Sequence, residues 1–176
     1  VAADIEAGGG TAIGVETDIA SEASIEAGVS EAVRAFGGLD AVFANAGTAG
    51  SGWLHETTLD DWETVIRVNL TGTFLTAKHT IPHLLANGGG AIVTTGSISS
   101  QIIALGGAAA SYAASKGGVL QLTKAIAVDY GPQGIRANCL CPGVVRTRLA
   151  HHVRADTENH TTPVPEGGQL PRQMIQ

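Results

Sequence analysis

The feature that most constrains this chain is an alternation. Short apolar runs closed by small or polar residues take turns with longer stretches whose apolar residues recur at helical spacing. Residues 11–19 read as a buried strand with Asp18 near its C-terminal end. Ser21 or Ser24 then caps a helix that carries Ile25, Val29, Val33 and Phe36 on one stripe and stops at Gly37-Gly38. Residues 39–44 form a second strand. Thr58-Leu59-Asp60-Asp61 opens a helical pattern running to about residue 86, with Pro82 placed to kink it. Residues 90–96 are a third strand, 112–130 a helix ended by Gly131-Pro132, and 135–141 a fourth strand.

That order predicts a parallel sheet with helices on both faces. Right-handed crossovers bring the C-terminal ends of the strands to one edge, where ligands bind. The residues just past the strands are Asp18, Asn45-Ala46-Gly47, Gly96-Ser97 and Pro142-Gly143, small or polar as such an edge requires. The chain is expected to be one domain, 1–176, with 149–176 an irregular substrate-loop region. Its first residues, 1–5, read like the last turns of a helix.

The formal net charge is -6, and Lys and Arg form no run, which argues against nucleic acid. No stretch approaches ~18 uninterrupted apolar residues, so no membrane association is expected. With no visible leader, a cytoplasmic protein is expected. Cys139 and Cys141 are read as buried hydrophobes on opposite faces of a strand, unbridged. His79 and His83 have metal-ligand spacing, but Pro82 interrupts it and no acid accompanies them, so no metal is expected.

Tyr112 and Lys116 are four apart, one turn distant on the same face of a helix. A phenol is a poor acid-base catalyst at neutral pH, and a nearby cation favours its phenolate. Bringing it to neutrality would need about 4 kcal/mol of differential interaction. The spacing alone is weak, since such pairs are common on solvated helix faces. Context strengthens it. Asn45-Ala46-Gly47 after a strand, Val68-Asn69-Leu70 in a helix, the run from Ile92 to Ser97, Tyr112-x-x-x-Lys116, and Pro142-Gly143 followed by Thr147 occur in order. Together they resemble the short-chain dehydrogenase/reductase family over nearly all of residues 1–149.

The resemblance implies a Rossmann-like, doubly wound α/β fold, incomplete at both ends, and an oxidoreductase that uses NAD or NADP to interconvert a small-molecule alcohol and ketone. Tyr112 would move the proton, Lys116 would lower its pKa and hold the ribose, Ser97 would hydrogen-bond the reacting oxygen, and Asn69 would hold a water linking Lys116 to solvent. The family spaces its serine as Ser99 is spaced from Tyr112, whereas strand register favours Ser97. Asp18 and Ile19 match the adenine-contacting position. Asn45, Ala46, Gly47, Tyr112, Lys116, Pro142, Gly143, Val145 and Thr147 complete the implied cofactor contacts. The family pairs into homodimers or homotetramers through helices matching 58–86 and 112–130. The family's glycine-rich pyrophosphate turn has no match, because Gly8-Gly9-Gly10 leads into residues 11–19 rather than into a helix, and Asp4 is rejected as a ribose ligand. An inactive fragment or oligomerisation module, or a sugar-nucleotide epimerase or dehydratase, are the competing readings.

Overall fold

The computed structural model describes residues 1–50, 52–103 and 110–143, together with Val145 and Leu149. Thr147, residues 104–109 of the loop before Tyr112 and residues 150–176 lie outside the described residues. Helix α1 spans Ala2–Ala7, α2 Glu22–Phe36, α3 Leu59–Ile66, α4 Gly72–Ala86 and α5 Ala110–Tyr130. The strands are β1 (Ala41–Ala44), β2 (Gly90–Thr95) and β3 (Ile135–Leu140).

Local chemistry explains most boundaries. Ser21 caps α2, its hydroxyl accepting the Ser24 amide at 3.4 Å, and Gly37 ends the helix in the left-handed conformation. Thr58 caps α3 by accepting the Asp61 amide at 3.1 Å and donating to Asp61 Oδ2 at 2.6 Å. Pro82 lies inside α4 without ending it. The expected single helix over 58–86 is instead interrupted earlier. Residues Arg67–Thr71 form a π-helical turn between α3 and α4, and Asn69 lies at its centre. Such turns alter the carbonyl ladder and recur at functional positions.

The three strands are parallel in the order β1-β2-β3. Val42 pairs with Ile92 and Ile92 with Ala137, and one residue pair further on Ala44, Thr94 and Cys139 line up. This face meets α4 and α5. Ile92 and Ile135 pack with Ala77, Ile81 and Leu84 of α4 and Ile126 of α5, the apolar centre of the structure. Outside it, α2 packs on α4, and α3 on α5.

Among the described residues α4 and α5 lie on one face of the sheet, and on the other face Phe43 and Leu140 are more than half exposed. One expectation is corrected. Residues 11–19 are not a strand. A strand exists through its ladder, and no described segment pairs with these residues. They run instead across the N-terminal side of α2, where Thr17 packs against Gly28.

Leu84 has no exposed surface and packs within the apolar centre. Leu84→Ala should lower the unfolding free energy by about 2–5 kcal/mol. Urea denaturation measures it.

Candidate active site

Parallel pairing brings the expected residues to one edge. Asn45 follows β1, Ser97 follows β2 and Pro142 follows β3. Hydrogen bonds tie these ends together. Thr95 Oγ1 donates to Asn45 Oδ1 at 2.9 Å, the Gly96 amide donates to the Leu140 carbonyl at 2.7 Å, and the Ile98 amide donates to the Pro142 carbonyl at 3.0 Å. Ser97 is therefore held between the ends of its two neighbouring strands.

Lys116 reaches this edge from α5. The residue is almost fully buried, and its Nζ donates to the Thr95 carbonyl at 2.6 Å, 5.7 Å from the centre of the Tyr112 ring. Burial pushes the Lys116 pKa below its ordinary 10.5, opposed in part by electrostatic interaction with Cys139. Tyr112 is half-buried one turn earlier.

Asn69 is completely buried, and its carboxamide is fully engaged on the donor side. Nδ2 donates to the Thr48 carbonyl and to Ser115 Oγ, both at 3.0 Å, while Oδ1 accepts the Thr48 amide at 2.8 Å. Its own carbonyl accepts the Thr73 hydroxyl at 2.7 Å. The side chain thus clamps the loop after β1 to α5. One lone pair of Oδ1 remains, and it matters because of Gly47. A Cβ at Gly47 would lie 3.3 Å from both Asn69 Oδ1 and Lys116 Nζ. A side chain there would crowd both, so glycine lets the loop backbone come close to the acceptor and the cation.

Two serines were not foreseen. Ser115 receives Asn69 Nδ2 and donates to the Tyr112 carbonyl at 2.7 Å. Ser100 accepts the Ser97 amide at 3.1 Å and donates to the Lys116 carbonyl at 2.8 Å. Each joins two expected site residues. The available signal was positional: Ser115 lies inside the Tyr-x-x-x-Lys motif, and Ser100 closes the serine cluster after β2. Ser97 Oγ accepts the Ser99 amide at 3.1 Å, and among the described residues its hydroxyl hydrogen has no acceptor. Ser97 is buried, whereas Ser99 is half-buried in the short 3₁₀ turn Ile98–Ser100.

Beside β1 lies a cleft of about 110 Å³ lined by Ile19, Phe43, Ala44, Asn45, Ala46, Thr73 and Thr76. It gathers Ile19, Asn45 and Ala46 from the expected cofactor set. Ile19 approaches because Gly72 has no side chain; a Cβ there would meet the Ile19 carbonyl at 2.9 Å. Asp18 does not line the cleft. Its Oδ1 accepts the Ala20 amide at 2.9 Å and its own amide donates to Ser24 Oγ at the same distance, a helix-entry arrangement. Pro142, Gly143 and Val145 are exposed along the same edge. His79 is held by Glu22 at 3.1 Å, beside Lys78 on the same carboxylate, so it serves a contact between α2 and α4.

Known proteins resemble this chain in sequence and in fold. A family profile described as enoyl-(acyl carrier protein) reductase matches residues 1–166. The chain is 41% identical over 138 residues to 2-(R)-hydroxypropyl-CoM dehydrogenase of Xanthobacter autotrophicus, covering 77% of this chain and 54% of that protein. It is also 41% identical over 158 residues to cis-4-hydroxycyclohexanecarboxylate dehydrogenase of Sinomonas cyclohexanicum, covering 89% and 62%. Its fold matches the crystal structure of gluconate 5-dehydrogenase from Burkholderia cenocepacia in complex with NADP and tartrate, at a TM-score of 0.81 and 34% identity over 88% of this chain and 60% of that one. The chain belongs to the short-chain dehydrogenase/reductase family, with its Rossmann-like α/β fold, and its relatives are dehydrogenases. It spans a little over half the length of these relatives. No helix among the described residues is long and apolar enough to cross a membrane.

Two outcomes follow. Because burial lowers the Lys116 pKa, the folded chain releases this proton at lower pH than the unfolded chain does. Stability contributed by this group should therefore rise with pH from the lowered Lys116 pKa up to 10.5. Urea unfolding across that interval should show the slope, and Lys116→Met should remove it. Asn69→Ala should cost about 1–3 kcal/mol for each buried partner it orphans. The same urea titration at neutral pH measures that loss.

Proposed function

We propose that this chain carries the proton-transfer half of an NAD- or NADP-dependent oxidoreductase that interconverts a small alcohol and its ketone. One observation supports the reading above the others: a buried ammonium, Lys116, stands one helical turn from Tyr112 and close beside Gly47.

That spot and the cleft beside β1 suit a nicotinamide dinucleotide. Lys116 and Asn69 Oδ1 offer a donor and an acceptor to ribose hydroxyls at Gly47, and Ile19, Asn45 and Ala46 offer a narrow, mostly apolar wall for the rest. Asp18, Pro142, Gly143, Val145 and Thr147 complete the proposed contacts. When bound, the cofactor supplies or takes up the hydride.

The chain's own groups handle the proton. In the reductive direction Tyr112 donates its hydroxyl proton to the carbonyl oxygen, and in the oxidative direction the phenolate removes the proton from the alcohol. The Lys116 charge stabilises that phenolate. Ser97, its oxygen already accepting from Ser99, has its hydroxyl hydrogen free to donate to the reacting oxygen. Asn69 holds the loop after β1 against α5, and its remaining lone pair is available to a water linking Lys116 to solvent. The protein acts as a cytoplasmic homodimer or homotetramer paired through residues 58–86 and 112–130. Exposed Phe74 and Val128 on α4 and α5 support that pairing.

A second reading is a catalytically inactive module that pairs through the same helices, which exposed Phe74 and Val128 would serve equally well. Thermal-shift titration with NAD and NADP, followed by oxidation assays on a panel of secondary alcohols, separates the two. The enzyme reading expects stabilisation by a cofactor and turnover that Tyr112→Phe lowers by about 10²–10⁴-fold. Unchanged turnover in Tyr112→Phe would overturn the proposed role of the tyrosine. Absence of any cofactor-dependent shift in a folded chain would favour the second reading.

A further inference from the structure

Cys139 and Cys141 are not used by the chemistry above. They were expected on opposite faces of a strand, and that expectation was wrong: alternate residues of a strand share a face. Their sulfurs are 4.0 Å apart, both thiols are free, and both residues are half-buried. They converge on one place, the missing side chain of Gly96. A Cβ there would lie 2.7 Å from Cys139 Sγ and 3.2 Å from Cys141 Sγ. Gly96 directly precedes Ser97.

We infer that Cys139 and Cys141 form a reversible thiol-disulfide site, oxidised by hydroperoxides, whose closure displaces the turn carrying Ser97. In an extended strand the Cβ atoms of alternate residues stand farther apart than the roughly 3.5–4.5 Å a disulfide allows, so the backbone must bend for the bond to form. The bend has a place to occur. Cys141 lies just past Leu140, the last residue of β3, and precedes Pro142-Gly143. The Pro142 carbonyl accepts the Ile98 amide at 3.0 Å, so movement of Cys141 passes to the residue after Ser97. A disulfide formed under such strain is easily reduced again, as a switch requires.

The chemistry balances with a hydroperoxide as oxidant. One thiolate attacks the peroxide and breaks the O–O bond, giving a sulfenic acid and, with hydrogen peroxide, one water. The second thiol attacks the sulfenic sulfur, forming the S–S bond and expelling a second water. Two thiols are oxidised and the peroxide is reduced. None of this depends on the hydride-transfer reading, so the two stand or fall separately.

The test exposes the reduced 176-residue chain to hydrogen peroxide and follows free thiols, intact mass and amide exchange. The site predicts loss of both thiols together, a mass lower by two hydrogens, no covalent dimer on a non-reducing gel, full recovery with dithiothreitol, and faster exchange at the Ile98 amide. Cys139→Ser and Cys141→Ser should each abolish the loss of two hydrogens, gaining oxygen or cross-linking between chains instead. Wild-type protein that only gains oxygen, cross-links between chains or keeps both thiols overturns the site. A disulfide that forms with Ile98 exchange unchanged overturns its coupling to Ser97.

Discussion

The bond from buried Lys116 to the Thr95 carbonyl is the constraint around which the site is arranged. An ammonium out of water is costly unless its hydrogens find acceptors. Here one of them closes on the last carbonyl of the central strand, which fixes α5 at a single height against the sheet. Tyr112 is then one turn away from the same edge. Ser100 adds a second tie, joining the Lys116 carbonyl to the Ser97 amide. Asn69 and Ser115 add a third, between the loop after β1 and the Tyr112 carbonyl. The positions of the functional side chains are set by backbone groups on three different elements, so they are more rigid than loop residues alone would be.

Core and site are two ends of the same packing. The apolar contact among Leu84, Ile92, Ile126 and Ile135 aligns α4 and α5 on one face of the sheet. Toward the C-terminal edge, the polar residues Thr94, Thr123, Ser115 and Asn69 replace it, all buried. Thr94 and Thr123 share a hydrogen bond of 2.7 Å there. Polar groups this deep must be paired, and their pairing directions specify one arrangement where apolar contacts would permit several. The change from apolar to polar packing marks where stability gives way to chemistry.

Patterns decided by neighbours in sequence were legible. Thr58 and Ser21 announced helix starts, Gly37 a helix end, and Tyr112-x-x-x-Lys116 a shared helix face, because capping and helical periodicity act over a few residues. Patterns decided by distant partners were not. Residues 11–19 have the composition of a strand, yet a strand needs a neighbour, and none of the described residues provides one. The π-helical turn at Arg67–Thr71 left no mark in a sequence that reads as continuous helix, since it answers to the packing of Asn69 against Thr48 and Ser115. Ser115 and Ser100 looked like ordinary small residues until the elements they join were in place. Asp18 matched a family position in the sequence, and its second task, accepting the Ala20 amide through Oδ1 at the start of α2, became visible only in the fold.

We propose that Lys116, Asn69 and Gly47 together frame a place for a ribose beside Tyr112. Hydrogen-deuterium exchange with and without saturating NADP tests this. Protection confined to residues 45–48 and 112–116, and reduced in Lys116→Met, is the predicted result. Protection elsewhere on the chain, with those segments unchanged, would contradict it.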